Sequence, residues 1–116
     1  MGRDLVLIVD DHDGFRRLAR RMLESSGFGV ADVDSGAAAL RAARELQPEL
    51  VLVDVQLPDI DGFEVAERLR RARSEATIVL TSTRSRDDYG PRLGESRFIA
   101  KSELSAAALR GIVESP

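Results

Sequence analysis

The 116 residues suffice for one domain and one core over 1–116, and 43% hydrophobic with 32% charged residues is ordinary globular usage that argues against a disordered or fibrous chain. With no cysteine there is no disulfide framework and no thiolate metal site; no apolar run approaches the ~18 residues of a membrane span, and the start of the chain shows no cleavable leader, which together point to the cytoplasm. A formal net charge of -3 argues against a grip on nucleic acid by this domain itself, since binding a phosphate backbone wants a basic face, so any DNA contact would need an attached module.

The first element is the continuous apolar run 5–9 (LVLIV), which has the character of a buried parallel strand and is followed at once by Asp10, Asp11 and Asp13. Phe15, Leu18, Ala19, Met22 and Leu23 then recur at helical spacing and stop at Ser25-Ser26-Gly27, where glycine suits a left-handed cap. A weaker strand occupies 28–33. Asp34 or Ser35 caps an Ala-rich helix with Ala39, Leu40, Ala43 and Leu46 on one face, closed by Pro48. Residues 50–53 (LVLV) repeat the buried-strand pattern and run into Asp54.

Past the turn-rich 57–62 comes a helix with Phe63, Val65, Ala66 and Leu69 inward and Arg68, Arg70, Arg71 and Arg73 mostly outward. A fourth strand spans 77–80 and ends at Thr81-Ser82-Thr83. In 84–95, Tyr89 and Leu93 can face a core, but Gly90, Pro91 and Gly94 keep any helix short or irregular. A brief fifth strand, 98–100, ends at Lys101, and a last helix carries Ala106, Leu109, Ile112 and Val113, capped by Ser102 or Ser105. Five strands alternating with about five helices imply an α/β, doubly wound parallel sheet, whose ligands sit beyond the carboxyl ends of the strands.

Those ends hold Asp10, Asp11, Asp54, Thr81 and Lys101. Three gathered carboxylates repel one another, so they either raise their pKa values or hold a hard cation, Mg²⁺ or Mn²⁺, with Asp11 and Asp54 as direct ligands and Asp10 through water. A phosphoryl group moving to Asp54 needs its charge neutralised, by the metal on one side and by Lys101 on the other, while Thr81 can donate a hydroxyl hydrogen bond to a further oxygen. Of 17 basic residues Lys101 is the only Lys, which marks it out, and a compact ammonium suits a single phosphoryl oxygen. Taken singly, each Asp after a strand is as readily a helix cap, Thr81 and Ser82 are turn residues, and His12 is an exposed loop side chain rather than a ligand or phosphate carrier.

LVLIVDDHDGFRR, LVLVDVQLPDIDGFEV, TIVLTSTRS and RFIAKS together resemble the signature stretches of the response-regulator receiver family, CheY-like and flavodoxin-like in fold, over essentially the whole chain. The resemblance implies that Asp10 and Asp11 are the acidic pair, Asp54 the phosphoacceptor, Thr81 the switch hydroxyl and Lys101 the phosphate-contacting lysine. It further implies that Gln56 offers its backbone carbonyl to the metal and that Pro58 and Gly62 serve the turn after the acceptor. Three features depart from the family pattern: Phe98 stands where a switch Tyr is common, Ser102 replaces the frequent proline after the lysine, and 84–95 is short for a fourth helix. Ser82 stays open as an alternative to Thr81.

The implied function is a two-state switch of a two-component system. A sensor histidine kinase or phosphotransfer protein is the donor, a downstream effector or attached output domain the recipient, and a homodimer through the last helix fits the pattern without being demanded by it. The switch assists its own phosphorylation and dephosphorylation rather than acting as an enzyme on another molecule. Two competing readings are a module of the same fold that signals without phosphate and a Mg²⁺-dependent phosphohydrolase, which would need a cap for which the chain has no length.

Overall fold

Five parallel strands, β1 (Leu5–Val9), β2 (Gly29–Val33), β3 (Leu50–Asp54), β4 (Thr77–Ser82) and β5 (Arg97–Ala100), form one sheet in the order β2-β1-β3-β4-β5. The computed structural model describes residues 4–94 and 96–114. Four α-helices, α1 (Asp13–Ser25), α2 (Gly36–Leu46), α3 (Gly62–Arg71) and α4 (Ala106–Glu114), cover the sheet. The expectation of about five helices is corrected to four among the described residues: between β4 and β5 these make two 3₁₀ turns, Arg86–Asp88 and Gly90–Arg92, and no α-helix. Gly90 and Gly94 take positive φ and Pro91 lacks an N–H, so no α-helical ladder can propagate there.

Alternation along the strands sorts the core into two layers. Leu7, Val9, Val51, Val53 and Leu80 pack with Ala39, Ala43, Val65, Ala66 and Leu69 of α2 and α3, while Val6, Ile8, Leu50, Leu52, Val79 and Ile99 pack with Ala19, Leu23 and Leu109 of α1 and α4. Both faces being covered, β1 and β3 have no polar side before their last residues, which is why they read as unbroken apolar runs. Leu18 and Leu46, placed on the apolar stripes by their spacing, are instead 65% and 45% exposed at the rims of their helices. Among the described residues no helix is long and apolar enough to cross a membrane.

The chain leaves β1 toward β2 on one side and resumes at β3 on the other, so the ends of β1 and β3 diverge and open a crevice. Loops around it are fixed by caps. Ser35, rather than Asp34, caps α2 by accepting from Ala38 N at 3.2 Å, and Ser105, rather than Ser102, caps α4 by accepting from Ala108 N at 3.0 Å. Asp59 adds a second cap to α2 from the distant β3–α3 loop, accepting from Gly36 N and Ala37 N, both at 2.9 Å. Those amides pull its carboxyl down to about 2. Asp61, two residues on, caps α3 through Glu64 N at 2.9 Å.

Gly62 takes its place for space rather than for a special φ. A Cβ there would lie 2.8 Å from Val55 Cα and closer still to the Asp54 carbonyl oxygen, so only glycine lets α3 begin hard against the end of β3. Its N–H donates to Val55 O at 2.7 Å and fixes that approach.

Candidate functional site

Asp10, Asp54, Thr81 and Lys101 fall on one side of the sheet by simple alternation. Asp10 follows Ile8 by two residues, Asp54 follows Leu52, Thr81 follows Val79 and Lys101 follows Ile99, all members of the layer that faces α1 and α4. Parallel register sets Asp54 beside Thr81 and Thr81 beside Ile99. Ser82 has the opposite parity and lies among the other layer, with its hydroxyl 2.6 Å from Tyr89 Oη. Alternation thus puts Thr81, and not Ser82, on the side of Asp54.

Asp10 is fully buried and Asp54 is 4% exposed. Lys101 Nζ reaches between them, 2.7 Å from Asp10 Oδ2 and 3.1 Å from Asp54 Oδ2, and rests over the Phe15 ring at 4.3 Å from its centroid. Asp54 Oδ1 accepts from Gln56 N at 2.9 Å, and Asp10 Oδ1 accepts from His12 N at 2.9 Å. Neither Asp10 nor Asp11 caps α1, whose N-cap is His12 without a side-chain cap. The helix-cap reading of the acidic pair therefore lapses: Asp10 turns back on its own loop and Asp11 stays at the crevice rim.

Burial works against the charge of all three paired groups, and the balance differs for each. For Asp10 it is outweighed by Lys101 and by the His12 amide, so its pKa is lowered. Lys101, despite burial, is held charged and its pKa raised by Asp10 and Asp54. At Asp54 burial prevails, and the charge of Asp10 adds to it against the Gln56 amide and Lys101, so this carboxyl sits above the ordinary range. Asp54 is the member whose charge is left least relieved.

Ligand atoms of Asp10, Asp11, His12 and Asp54 all lie within 4.8 Å of one another. Asp10 Oδ2 is buried with no aligned hydrogen bond, although the Lys101 ammonium is near, and that ammonium meets two of the three carboxylates, Asp10 and Asp54. Hard oxygen donors with uncompensated negative charge fit a divalent cation of the Mg²⁺ type. His12 Nδ1 is 3.0 Å from Asp10 Oδ1 and 3.2 Å from Asp11 Oδ1, and the side chain is mostly exposed.

Thr81 is buried, with its hydroxyl donating to Ile99 O at 2.6 Å rather than to Asp54. Gln56 and Thr83 flank the crevice and are exposed. Phe98 is partly buried on the opposite layer, 5.8 Å from the Tyr89 ring, which in turn meets Phe63 at 5.9 Å. Sequence reasoning missed Arg16, whose guanidinium donates to the Asp10 carbonyl at 2.6 Å, and Phe15 beneath Lys101. It also missed the phenol of Tyr89. Arg16 lies five residues past Asp11 among four arginines of one helix, and nothing in the spacing separates it from the other three.

The family model described as "Response regulator receiver domain" matches residues 6–112. Response regulator GacA of Pseudomonas viridiflava is 40% identical over 112 residues, covering 92% of this chain and 52% of its own length. The chain spans about half the length of such curated relatives, 44% in the case of transcriptional regulatory protein AfsQ1 of Streptomyces coelicolor, which is 39% identical over 83% of this chain. Among solved structures, a CheY-like response regulator receiver domain from Methylobacillus flagellatus superposes with a TM-score of 0.84 at 28% identity, covering 98% of both chains. Response regulator TrrA from Thermotoga maritima, solved in complex with Mg²⁺ and BeF, gives 0.76 at 26% identity, covering 84% of this chain and 85% of that one.

Proposed function

Because the chain belongs to the response regulator receiver domain family of two-component signalling, we propose that it is a phosphorylation-driven switch whose acceptor is Asp54 and whose donor is the phosphohistidine of a partner kinase or phosphotransfer protein. The observation that carries this reading is the buried Asp54 carboxylate, raised in pKa and contacted by the chain's single lysine at 3.1 Å, inside a cluster with an excess of negative charge. A carboxylate so placed is a nucleophile, and the added charge of the acyl phosphate it forms is what the cation and Lys101 must neutralise.

An Asp54 oxygen attacks phosphorus in line, the P–N bond breaks, and its electron pair stays on the ring nitrogen, which departs as part of a neutral imidazole whose proton is on the other nitrogen. Asp11, Asp54 and the Gln56 backbone carbonyl would hold Mg²⁺ or Mn²⁺, with Asp10 through water, and the ion supplies charge neutralisation to the phosphoryl oxygens. Lys101 meets another phosphoryl oxygen from the β5 side. Thr81 then leaves the Ile99 carbonyl to donate to the new phosphoryl group, and Phe98, one layer across, repacks against Tyr89 as the end of β4 shifts. The product is a changed surface around β4, β5 and the 3₁₀ segment, offered to an effector or an attached output domain. Loss of the phosphoryl group is by water entering past Gln56 and Thr83, neither of which is a carboxylate base.

The test is intact mass after incubation with MgCl₂ and acetyl phosphate, beside Asp54→Asn. One phosphoryl adduct that requires the metal and is missing from the variant is the expected result. No adduct from a folded, metal-binding protein would instead favour a module that signals without phosphate.

A further inference from the structure

The guanidinium of Arg16 is only 15% exposed and serves three acceptors. Nη1 donates to the Asp10 carbonyl oxygen at 2.6 Å, Nε donates to Asp32 Oδ1 at 3.1 Å, and Nη2 donates to Asp13 Oδ1. Asp32 is itself held by Arg20, whose Nη2 and Nε reach its other oxygen at 2.7 and 3.1 Å and whose Nη1 also donates to Val30 O at 3.0 Å. Arg16 is thus anchored to β2, a neighbour of β1 in the sheet, and not to a free surface loop.

The carbonyl it grips belongs to the peptide that joins Asp10 to Asp11. A peptide unit is planar, so holding its oxygen, with Asp10 itself pinned, restrains where the Asp11 Cα sits and narrows the directions in which that side chain can leave the chain. On the other side of Asp10, its N–H donates to Val33 O at 3.1 Å, so the residue is pinned at both ends. Asp11 has no comparable restraint of its own among the described residues: its carboxylate is exposed, and its ion pair is with the exposed His12 ring at 3.2 Å.

Resting on the reading of the site as a receiver metal centre, we infer that Arg16 is a positioning residue for divalent-cation binding, holding the Asp10–Asp11 peptide so that the Asp11 carboxylate faces those of Asp10 and Asp54. Its charge alone would act in the opposite sense, because a cation beside a cation site repels the incoming ion. The planar fork is what matters: it spans a carbonyl and carboxylates in different directions, which a lysine ammonium cannot do.

The sign of the effect decides. The dissociation constant for Mg²⁺ is measured by isothermal titration with MgCl₂ on the unphosphorylated protein at constant ionic strength, for the natural chain, Arg16→Gln and Arg16→Lys, with thermal unfolding in EDTA as the check on folding. Positioning predicts that both variants bind Mg²⁺ about tenfold more weakly, the lower end of what outer-shell changes cost, and that Arg16→Lys, which keeps the charge, is no rescue. Arg16→Gln binding as tightly as the natural chain or more tightly overturns the inference, as does full recovery in Arg16→Lys. Should Arg16→Gln fail to fold, Arg16→Lys alone decides by the same criterion. A natural chain that binds no Mg²⁺ overturns the metal-centre reading and this inference with it, whereas Mg²⁺ binding that is indifferent to Arg16 overturns this inference only.

Discussion

Asp54 carries a folding penalty that follows from where it stands. Its carboxyl is raised above the ordinary 3.8 by burial first, with the charge of Asp10 adding to it, so over the interval above 3.8 the folded chain binds more protons than the unfolded one. Stability contributed by this residue therefore falls as pH rises through that interval. Asp54→Asn removes the charge and keeps the shape. In metal-free buffer at pH 7 its urea midpoint is expected above that of the natural chain, and the difference is expected to shrink as pH is lowered toward and below 3.8. A midpoint at or below the natural chain's at pH 7 would mean that Lys101 relieves Asp54 fully. Asp59 works in the other direction: held down to about 2 by the amides of Ala37 and Gly36, it contributes above 3.8 and loses that contribution as pH falls toward 2.

Helix α3 can approach the end of β3 only because its first residue has no side chain. Gly62→Ala places a methyl against the Asp54 carbonyl and Val55 Cα, both backbone, so the helix must retreat. The expected loss is about 1–3 kcal/mol in chemical denaturation, accompanied by weaker Mg²⁺ binding because the acceptor strand moves with it. Gly111, in α4 with open space where a Cβ would go, is the control. Gly111→Ala is expected to gain about 0.5–1 kcal/mol from helix propensity alone.

Elements also show what the amino-acid order disclosed and where it fell silent. Strand β1 was legible to the residue, since a strand buried on both faces leaves no ambiguity of period. Strand β4 runs on through Thr81 and Ser82, two residues past its apolar stretch, and these polar rungs, one facing Asp54 and one facing Tyr89, carry no apolar signal of a strand. The missing fourth helix was legible from Gly90, Pro91 and Gly94. Asp10, Asp54 and Lys101, expected at three strand ends, do meet, as the doubly wound topology requires of residues just past parallel strands. Arg16 and the Tyr89–Ser82 contact stayed hidden: each joins residues whose proximity depends on how a helix or turn seats on the sheet, and local patterning carries no such information.

At the scale of the molecule, the site is fed by β1, β3 and β5, which include the centre and one edge of the sheet. A cation held as proposed by Asp11 and Asp54 would span the crevice where the connections leaving β1 and β3 diverge, and would bind the folded chain alone. Mg²⁺ at a hundredfold excess over its dissociation constant is expected to add about 2.7 kcal/mol to the unfolding free energy, roughly 10 °C in Tm for a chain of this size. Differential scanning calorimetry with and without MgCl₂ measures this directly. A shift that survives Asp54→Asn unchanged would place the ion elsewhere.

The chain has one tyrosine and no tryptophan, so all of its useful ultraviolet emission comes from Tyr89. That phenol touches the Ser82 hydroxyl at 2.6 Å, one residue beyond Thr81, and its ring sits between Phe63 and Phe98. Any displacement at the end of β4 changes both the quenching partner and the packing of a single fluorophore. The protein therefore comes with its own optical probe at the place where a signal would leave it, and no dye or engineered label is needed to follow the transition in real time.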